Sequence, residues 1–306
     1  MKSDRQRTRP VELGAIDNSK VFLPPEYSQL FYSPIWADFD HAHRLRYSQL
    51  FALRTNEVTM LFERFLVRTI LPPMARRLET MGLQALRKLV LEMQHEEEEH
   101  DSAFVALNRA SRPDLYRETD FFFFPPSKEV RTFIAAMGYS ARWLAHPLWL
   151  LFLVEESSIT IARDLTAIDK NHELGTAEPN WLAVHQEHTR DERRHTLIDR
   201  LLFETCYTRR NRLARMMDGW LFERLLKTIV FPCANGAGVR VAEQLTRDYP
   251  ELAGMRSAMI REIVSLGDNP DFIASLLSQR LVPRAWKLFH RCPELNALGR
   301  WIPDYA

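Results

Sequence analysis

The 306-residue sequence is poor in cysteine and glycine, and its charges nearly cancel. The three cysteines form no CxxC pair, which argues against a disulfide framework and fits the reducing cytosol. A formal net charge of +1 provides no field that would hold a nucleic-acid backbone. The most apolar stretch, residues 148–154, is too short to span a bilayer, and no apolar segment follows the basic start as in a signal peptide. We therefore predict a cytoplasmic protein that binds neither membranes nor nucleic acids.

Helices are favoured over strands throughout the chain. Only 10 glycines stand against 17 prolines, hydrophobic residues reach 46%, and no segment shows the alternation of a half-buried strand. Residues 1–40 contain several prolines and are predicted to form an N-terminal arm. We predict that residues 41–306 form a single all-α domain, with its core at about 41–235.

Four long helices, followed by extra C-terminal helices, are predicted from apolar residues at helical spacing. Prolines 72 and 73 are expected to stop or sharply kink the first helix, and the third is expected to break near Gly138 and at Pro147. This pattern indicates a helical bundle. The predicted helices cover residues 41–71, 83–109, 129–169, 181–206, 212–230 and 236–244.

Two Glu-x-x-His pairs lie on separate predicted helices. The second helix carries Glu97 and His100, and the fourth carries Glu192 and His195, with His188 one turn before Glu192. Side chains at i, i+4 and i+7 share one stripe of a helix, so the three residues of the fourth helix point the same way. Such pairs on two helices are what a carboxylate-bridged dinuclear metal site in a bundle requires.

The other two helices each offer two candidates for the lone carboxylate that completes such a site. Glu155 and Glu156 lie in an apolar run, and a buried carboxylate costs several kcal/mol unless it is paired or bound to metal. One of them should therefore face the bundle interior. On the first helix the candidates are Glu57 and Glu63.

Charge and ligand type favour iron or manganese at this site. Four carboxylates would balance the charge of two divalent ions, and three neutral imidazoles add none, so a filled site is neutral. Oxygen and imidazole ligands without thiolate suit iron or manganese.

Each motif also has a simpler interpretation when taken alone. Residues 95–101 could form a solvated acidic face, and residues 185–195 an exposed face laced with ion pairs. The pair Glu155 and Glu156 could be neutralised by Arg163 or Arg142. The joint occurrence of all three motifs, in the chain order of a four-helix site, favours the metal site. We expect other nearby residues to lie beside the ligands or to face solvent: His95, Glu96, His185 and Glu187.

The run His188-Thr-Arg-Asp-Glu192-Arg-Arg-His195 resembles the p-aminobenzoate N-oxygenase type of non-haem di-iron oxygenase, a family of the ferritin-like superfamily. The specific part of the resemblance is His188, an extra histidine beyond the ordinary ferritin-like ligand set. Glu97 and His100 match the earlier pair of that family. The resemblance covers about residues 41–235 and implies a ferritin-like four-helix bundle core with extra C-terminal helices.

The resemblance also bears on the two lone carboxylates. Residues 154–160 look like the lone-Glu segment of the family with Glu156 at the ligand position, although helical phase alone slightly favours Glu155. A tyrosine-containing start at Tyr47 favours Glu57 on the first helix, whereas the spacing to the next pair favours Glu63. We prefer Glu57 and keep Glu63 as the alternative. The implied ligands are Glu57 or Glu63, Glu97, His100, Glu156, His188, Glu192 and His195.

The resemblance implies an O₂-dependent N-oxygenase with two iron ions, cycling between Fe²⁺ and Fe³⁺. Its substrate would be a small-molecule amine, aryl or amino-acid-derived and free or carrier-tethered, converted to a hydroxylamine, nitroso or nitro product in a biosynthetic pathway. Electrons would come from an external reductase or reductant, because the sequence has no dinucleotide or flavin fingerprint. A homodimer is left open.

Further expectations concern the surroundings of the irons and rival functions. Asp191, Asp199 and Tyr47 are expected to contact the ligands. The loop with phenylalanines 121–124 is expected to plug the end of the bundle, in preference to capping a substrate pocket. The rival functions are a di-iron C–H hydroxylase or desaturase, a ferritin-type iron-binding protein without catalysis, and a structural helical protein without metal.

Overall fold

The computed structural model describes residues 12–141, 143–169, 171–207 and 210–305, with the side chains of Phe65 and Leu66 excepted. Within these ranges the chain is mostly helical, and an isolated parallel bridge between Val21 and Ala177 is the nearest approach to a strand. The all-α prediction is therefore confirmed. The first eleven residues of the predicted arm, and Arg142, lie outside the described residues.

The described part of the chain contains thirteen α-helices, with 3₁₀ turns in some of the connections. They are α1 (Ile35–Asp38), α2 (His41–Leu61), α3 (Arg68–Thr80), α4 (Gln84–Ser111), α5 (Pro113–Tyr116), α6 (Lys128–Ser140), α7 (His146–Ala167), α8 (Pro179–Tyr207), α9 (Arg212–Val230), α10 (Ala237–Asp248), α11 (Arg256–Ser265), α12 (Pro270–Leu276) and α13 (Pro283–Phe289).

Four long helical segments form the bundle core. Helices α2 and α3 pack against α4, α4 packs against α8, and α7 packs along α8. The later helices lie outside this core, with α9 and α13 on α7 and α10 on α2. The predicted ferritin-like bundle with extra C-terminal helices therefore matches the architecture.

The first long helix continues through its two prolines, so of the predicted stop or kink the stop does not occur. The chain passes from α2 through a π-helical segment, Phe62–Val67, into α3, which contains Pro72 and Pro73 and continues to Thr80. A proline costs a helix one backbone hydrogen bond, but packing of an apolar face supplies most helical stability in a protein. Pro73 is buried with its α3 neighbours, and α3 is packed between α4 and α6.

The break predicted near Gly138 falls slightly later in the chain. Helix α6 runs through Gly138 to Ser140, and α7 begins at His146. The glycine is required for close packing instead, because a Cβ at this position would lie 2.2 Å from Thr69 Cβ on α3.

Two apolar clusters fill the interior and leave a polar band between them. Helix α4 contributes Met93 to one cluster and Phe104 to the other, and α8 contributes Ile198 and Val184 in the same way. The residues between these points carry both Glu-x-x-His pairs. Among the described residues, no helix is long and apolar enough to cross a membrane.

Candidate metal centre

Seven buried carboxylate and imidazole side chains meet in this polar band, and we refer to them as the Glu/His cluster. None is more than 7% exposed. They come from the π-helical segment, α4, α7 and α8, so four helical segments position them. The members are Glu63, Glu97, His100, Glu155, His188, Glu192 and His195.

Glu192 lies at the centre of the cluster. Its Oε1 atom is 2.9 Å from His188 Nε2, 3.3 Å from His100 Nδ1 and 3.5 Å from His195 Nδ1. Helical spacing brings His188 and His195 to the same stripe of α8 as Glu192, as the sequence predicted, and α4 supplies His100 from the neighbouring helix. A carboxylate oxygen close to three imidazoles can be shared between two metal ions.

Glu97 also reaches two imidazoles. Its Oε1 lies 3.0 Å from His195 Nδ1, and its Oε2 lies 3.5 Å from His100 Nδ1. The ligand atoms of Glu97, His100, Glu192 and His195 all lie within 4.8 Å of one another. Four buried ligands at this spacing can hold a metal ion.

Two lone carboxylates flank this group on opposite sides. Glu63 Oε1 lies 3.2 Å from His188 Nε2, and Glu63, His100 and His188 form a second set with ligand atoms within 4.8 Å. Glu155 Oε2 lies 3.7 Å from His195 Nδ1. The cluster therefore has one lone carboxylate near His188 and one near His195.

Unpaired buried atoms show that these residues fit a metal ion. Among the described buried atoms, both oxygens of Glu63 and of Glu192 lack a hydrogen-bond partner, as do Glu97 Oε1, Glu155 Oε1 and His195 Nδ1. His195 Nδ1 and Glu97 Oε1 are close but are not aligned for a hydrogen bond. Buried polar atoms without partners are costly, and a shared cation would satisfy them together.

Burial and mutual repulsion set the titration of the cluster. Burial raises the pKa of the Glu63 carboxyl well above its ordinary value, and the nearby Glu97 carboxylate adds to this. Burial would lower the pKa of His195, but Glu97 raises it well above its ordinary range. The pKa of His188 falls well below its ordinary value because of burial and the neighbouring His100. Metal ligation needs deprotonated groups, so metal binding here would depend on pH.

The ring nitrogens that face away from the cluster contact two outer carboxylates. Asp191 Oδ2 lies 3.3 Å from His100 Nε2, as expected from the sequence. Glu96 Oε2 lies 2.9 Å from His195 Nε2 and also pairs with Arg194. Such contacts fix the tautomer of an imidazole, so that its other nitrogen is free to bind a metal ion.

Of the two remaining expected neighbours, Asp199 lies near the charges of His195, Glu97 and Glu192, whereas Tyr47 lies elsewhere. Asp199 is fully buried, neither of its oxygens has a hydrogen-bond partner, and burial raises its pKa well above the ordinary value. Tyr47 packs against Trp36, and its hydroxyl accepts a hydrogen bond from Leu30 N at 3.2 Å, so it contacts the N-terminal segment rather than the cluster.

Glu57, the preferred candidate on the first helix, lies outside the cluster. Its Oε1 accepts hydrogen bonds from the Tyr116 hydroxyl at 2.5 Å and from the backbone N–H groups of Phe122 and Phe123 at 2.9 and 3.0 Å. Its Oε2 accepts from Phe124 N at 2.6 Å. This carboxylate fastens the phenylalanine loop, and the structure brings Glu63 into the cluster instead.

Glu156, the preferred candidate on the third helix, also lies outside the cluster. Both of its oxygens lie 2.9 Å from Arg284 N, and Oε2 accepts a further hydrogen bond from Ala285 N at 2.7 Å. These donors belong to the first turn of α13. Its neighbour Glu155 joins the cluster, as helical phase alone had slightly favoured.

The other residues near the motifs follow the expectation only in part. Glu187 pairs with Arg190 at 2.8 Å on the outer side of α8. His185 is buried and stacked on Trp181, and burial lowers its pKa to about 4. The loop of residues 121–124 packs into the apolar cluster that contains Phe104, which agrees with a plug.

Comparison with known proteins supports a metal centre at the Glu/His cluster. The family model described as P-aminobenzoate N-oxygenase AurF matches residues 3–264 of the chain. A search of curated proteins and a search of solved structures gave no match. The matched residues make up most of the chain and include every member of the Glu/His cluster. The chain therefore belongs to the p-aminobenzoate N-oxygenase AurF family, a family of ferritin-like helical di-iron oxygenases.

Proposed function

We propose that the protein is an O₂-dependent di-iron N-oxygenase that converts an amine to a hydroxylamine, nitroso or nitro product. The observation that carries the proposal is the buried Glu/His cluster, in which most of the possible ligand atoms lack a hydrogen-bond partner. Family membership supports oxygenase chemistry at this cluster. The amine is a small molecule, either free or tethered to a carrier.

The proposed ligand set contains four glutamates and three histidines. We define the first metal position by Glu63, His100 and His188, and the second metal position by Glu155 and His195. Glu97 and Glu192 would serve both positions, because each lies close to histidines of both. This set takes Glu63 and Glu155 in place of Glu57 and Glu156.

The charge of this set supports two divalent ions. Four carboxylates carry four negative charges, which two divalent ions neutralise in an interior where isolated charge is costly. No cysteine belongs to the cluster, and the described Cys206, Cys233 and Cys292 form no disulfide. Carboxylate and imidazole ligands suit iron or manganese, and family membership favours iron.

The residues around the irons have separate tasks in this proposal. Bound iron would supply the redox chemistry by which O₂ is activated, with electrons from an external donor. Asp191 and Glu96 hold the rings of His100 and His195 so that each Nδ1 faces the cluster. Phe104 packs against the ring of His188 at 5.0 Å and keeps water away from that side. We place the protein in the cytoplasm, in keeping with described cysteines that form no disulfide.

Aerobic turnover with labelled oxygen tests the function. Iron-loaded protein is mixed with aryl amines, aliphatic amines and amino acids, a chemical reductant and ¹⁸O₂, and the products are analysed by mass spectrometry. The proposal predicts ¹⁸O bound to nitrogen, and no product from a Glu192→Gln variant. Label at carbon, or a new C=C bond, would indicate the hydroxylase or desaturase. Many irons per chain without turnover would indicate iron storage.

A further inference from the structure

The residues that directly follow Glu63, His100, Glu155 and His195 each contact another helical segment. Consecutive residues on a helix point about 100° apart, so the residue after a ligand faces away from the metal. A contact at that residue still fixes the rotation of the helix about its axis. It thereby fixes the direction in which the preceding ligand points.

The first such contact joins the two segments that carry Glu63 and His100. Arg64 Nε lies 3.0 Å from both oxygens of Asp101, and Arg64 Nη2 lies 3.0 Å from Asp101 Oδ1. The two side chains are 23% and 10% exposed, so solvent screens this pair only partly. Arg64 Nη1 also donates to Asp120 at 2.9 Å. We call the Arg64–Asp101 contact the first clamp.

The second such contact involves the residues after Glu155 and His195. Glu156 accepts hydrogen bonds from the backbone of Arg284 and of Ala285, at 2.9 and 2.7 Å. The Arg284 guanidinium donates to Thr196 Oγ1 at 3.1 Å. The first turn of α13 thus touches α7 and α8, in each case one residue after a ligand.

We call the contacts of Arg284 and Ala285 with Glu156 and Thr196 the second clamp. Helix α13 begins at Pro283, beyond the residues 3–264 that match the family model. The second clamp therefore comes from a part of the chain that the family match does not cover. Glu156 accepts from two backbone N–H groups of a helix start, and Thr196 accepts from the Arg284 side chain.

We propose that the two clamps position the two metal sites separately: the Arg64–Asp101 contact sets the first metal position, and the contact of Glu156 with the start of α13 sets the second. This inference rests on the proposed function, because it needs two metal ions. Arg64 and Glu156 are positioning residues, since neither belongs to the Glu/His cluster. Losing one clamp would loosen one metal position and leave the other intact.

Titration of the full-length protein with Co²⁺ after chelation tests this inference. The variants are Arg64→Ala for the first clamp and Glu156→Ala for the second. We expect wild-type protein to bind two equivalents, and each variant to bind one equivalent normally and the other at least about 10-fold more weakly. X-ray absorption then counts the imidazoles on the remaining ion. In Arg64→Ala the remaining ion occupies the second position and should have one histidine. In Glu156→Ala it occupies the first position and should have two.

Two matched controls remove contacts of the same kind elsewhere. Arg112→Ala breaks the ion pairs of a partly buried arginine with Asp114 and Asp248. Thr160→Val removes the hydrogen bond from Thr160 Oγ1 to Leu281 O, which ties α7 to the C-terminal segment one turn after Glu156. Both should bind two equivalents with wild-type affinity, even where the temperature of unfolding falls. Asp101→Asn replaces Arg64→Ala if that variant does not fold, and is expected to weaken the same equivalent.

Four results would count against the inference. Equal weakening of both equivalents in both variants would show that the clamps stabilise only the fold, as would weakening of either equivalent by Thr160→Val. The same imidazole count in both variants would show that one position alone depends on them. Wild-type protein that binds no Co²⁺ would overturn the proposed metal centre and this inference with it, so the two failures are distinguishable.

Discussion

Glu155 and Glu156 are consecutive buried residues on α7 that serve different partners. Glu155 Oε2 lies 3.7 Å from His195 Nδ1 in the Glu/His cluster, whereas Glu156 accepts hydrogen bonds from the backbone of α13. The apolar run around them accommodates both carboxylates because each has a separate way to offset the cost of burial. For Glu155 we propose that this is a metal ion.

Glu63→Gln is expected to lose the metal ion of the first position. Both of its oxygens are buried without a hydrogen-bond partner, and a neutral amide is a much poorer ligand than a carboxylate. The iron content after anaerobic loading should fall from two equivalents per chain towards one, and N-oxygenation should be lost. Two retained equivalents would remove Glu63 from the ligand set.

Glu57→Gln is expected to keep both metal ions and to destabilise the fold. The carboxylate accepts from Tyr116 and from three consecutive backbone N–H groups, and an amide NH₂ would face one of these donors. Leaving a buried donor unpaired costs about 1–3 kcal/mol, so the free energy of unfolding should fall by that amount. Denaturant titration together with iron analysis checks both parts. Loss of iron without loss of stability would return Glu57 to the ligand set.

His195→Ala is expected to lose most of one iron and all oxygenation. Its Nδ1 is buried in the cluster near Glu97, Glu155 and Glu192. The control is Glu187→Ala on the same helix, which removes an outer ion pair and should keep two irons. The opposite pattern, with iron lost in Glu187→Ala and kept in His195→Ala, would show that α8 faces the metal ions with another side.

Asp191→Asn is expected to weaken metal binding without removing a ligand. Asp191 contacts His100 Nε2, and loss of such an outer carboxylate lowers metal affinity about 10- to 100-fold. Competition with a chromophoric chelator measures the affinity, and the fold is checked by circular dichroism. Wild-type affinity in this variant would mean that Asp191 does not orient the imidazole.

The stabilising contribution of Asp164 is expected to be lost in acid. Burial raises its pKa, but hydrogen bonds from Arg280 and Tyr27, both at 2.7 Å, bring the pKa below its ordinary value. A carboxylate with a lowered pKa in the folded state stabilises the protein above its unfolded-state pKa, about 3.9, and loses that contribution as pH falls through the folded-state pKa. Asp164→Asn should therefore cost stability near neutral pH and little in strong acid, as measured by urea unfolding at both. An equal loss of stability at both pH values would show that the lowered pKa of Asp164 does not contribute to folding.

The two Glu-x-x-His pairs could be located from the sequence because their phase is internal to each helix. The 3.6-residue repeat fixes His188, Glu192 and His195 relative to one another, whatever the rest of the fold does. The same holds for Glu97 and His100. Their burial follows from apolar residues on the same stripe, such as Val184 and Ile198.

The lone carboxylates could not be located in this way. Residues 47–53 of α2 and 146–153 of α7 are buried without interruption, so these stretches have no exposed face that would reveal the rotation of the helix. The π-helical segment then changes the phase after Leu61, and Glu63 lies within it. A rotation of about 100° separates Glu155 from Glu156, and helical phase within α7 favours Glu155 only slightly.

The sequence by itself determined an all-helical chain, the paired ligands on α4 and α8, and a demand for cations, because these depend on composition and on spacing within one helix. Only the tertiary structure decided that Glu63 and Glu155 complete the cluster while Glu57 and Glu156 hold a loop and a helix start. That choice depends on how α2 and α7 are rotated in the bundle. The hydrogen-bond partners of Glu57 and Glu156 lie 59 and 129 positions away in the chain, as Tyr116 and Ala285 show, so only the folded chain brings them together.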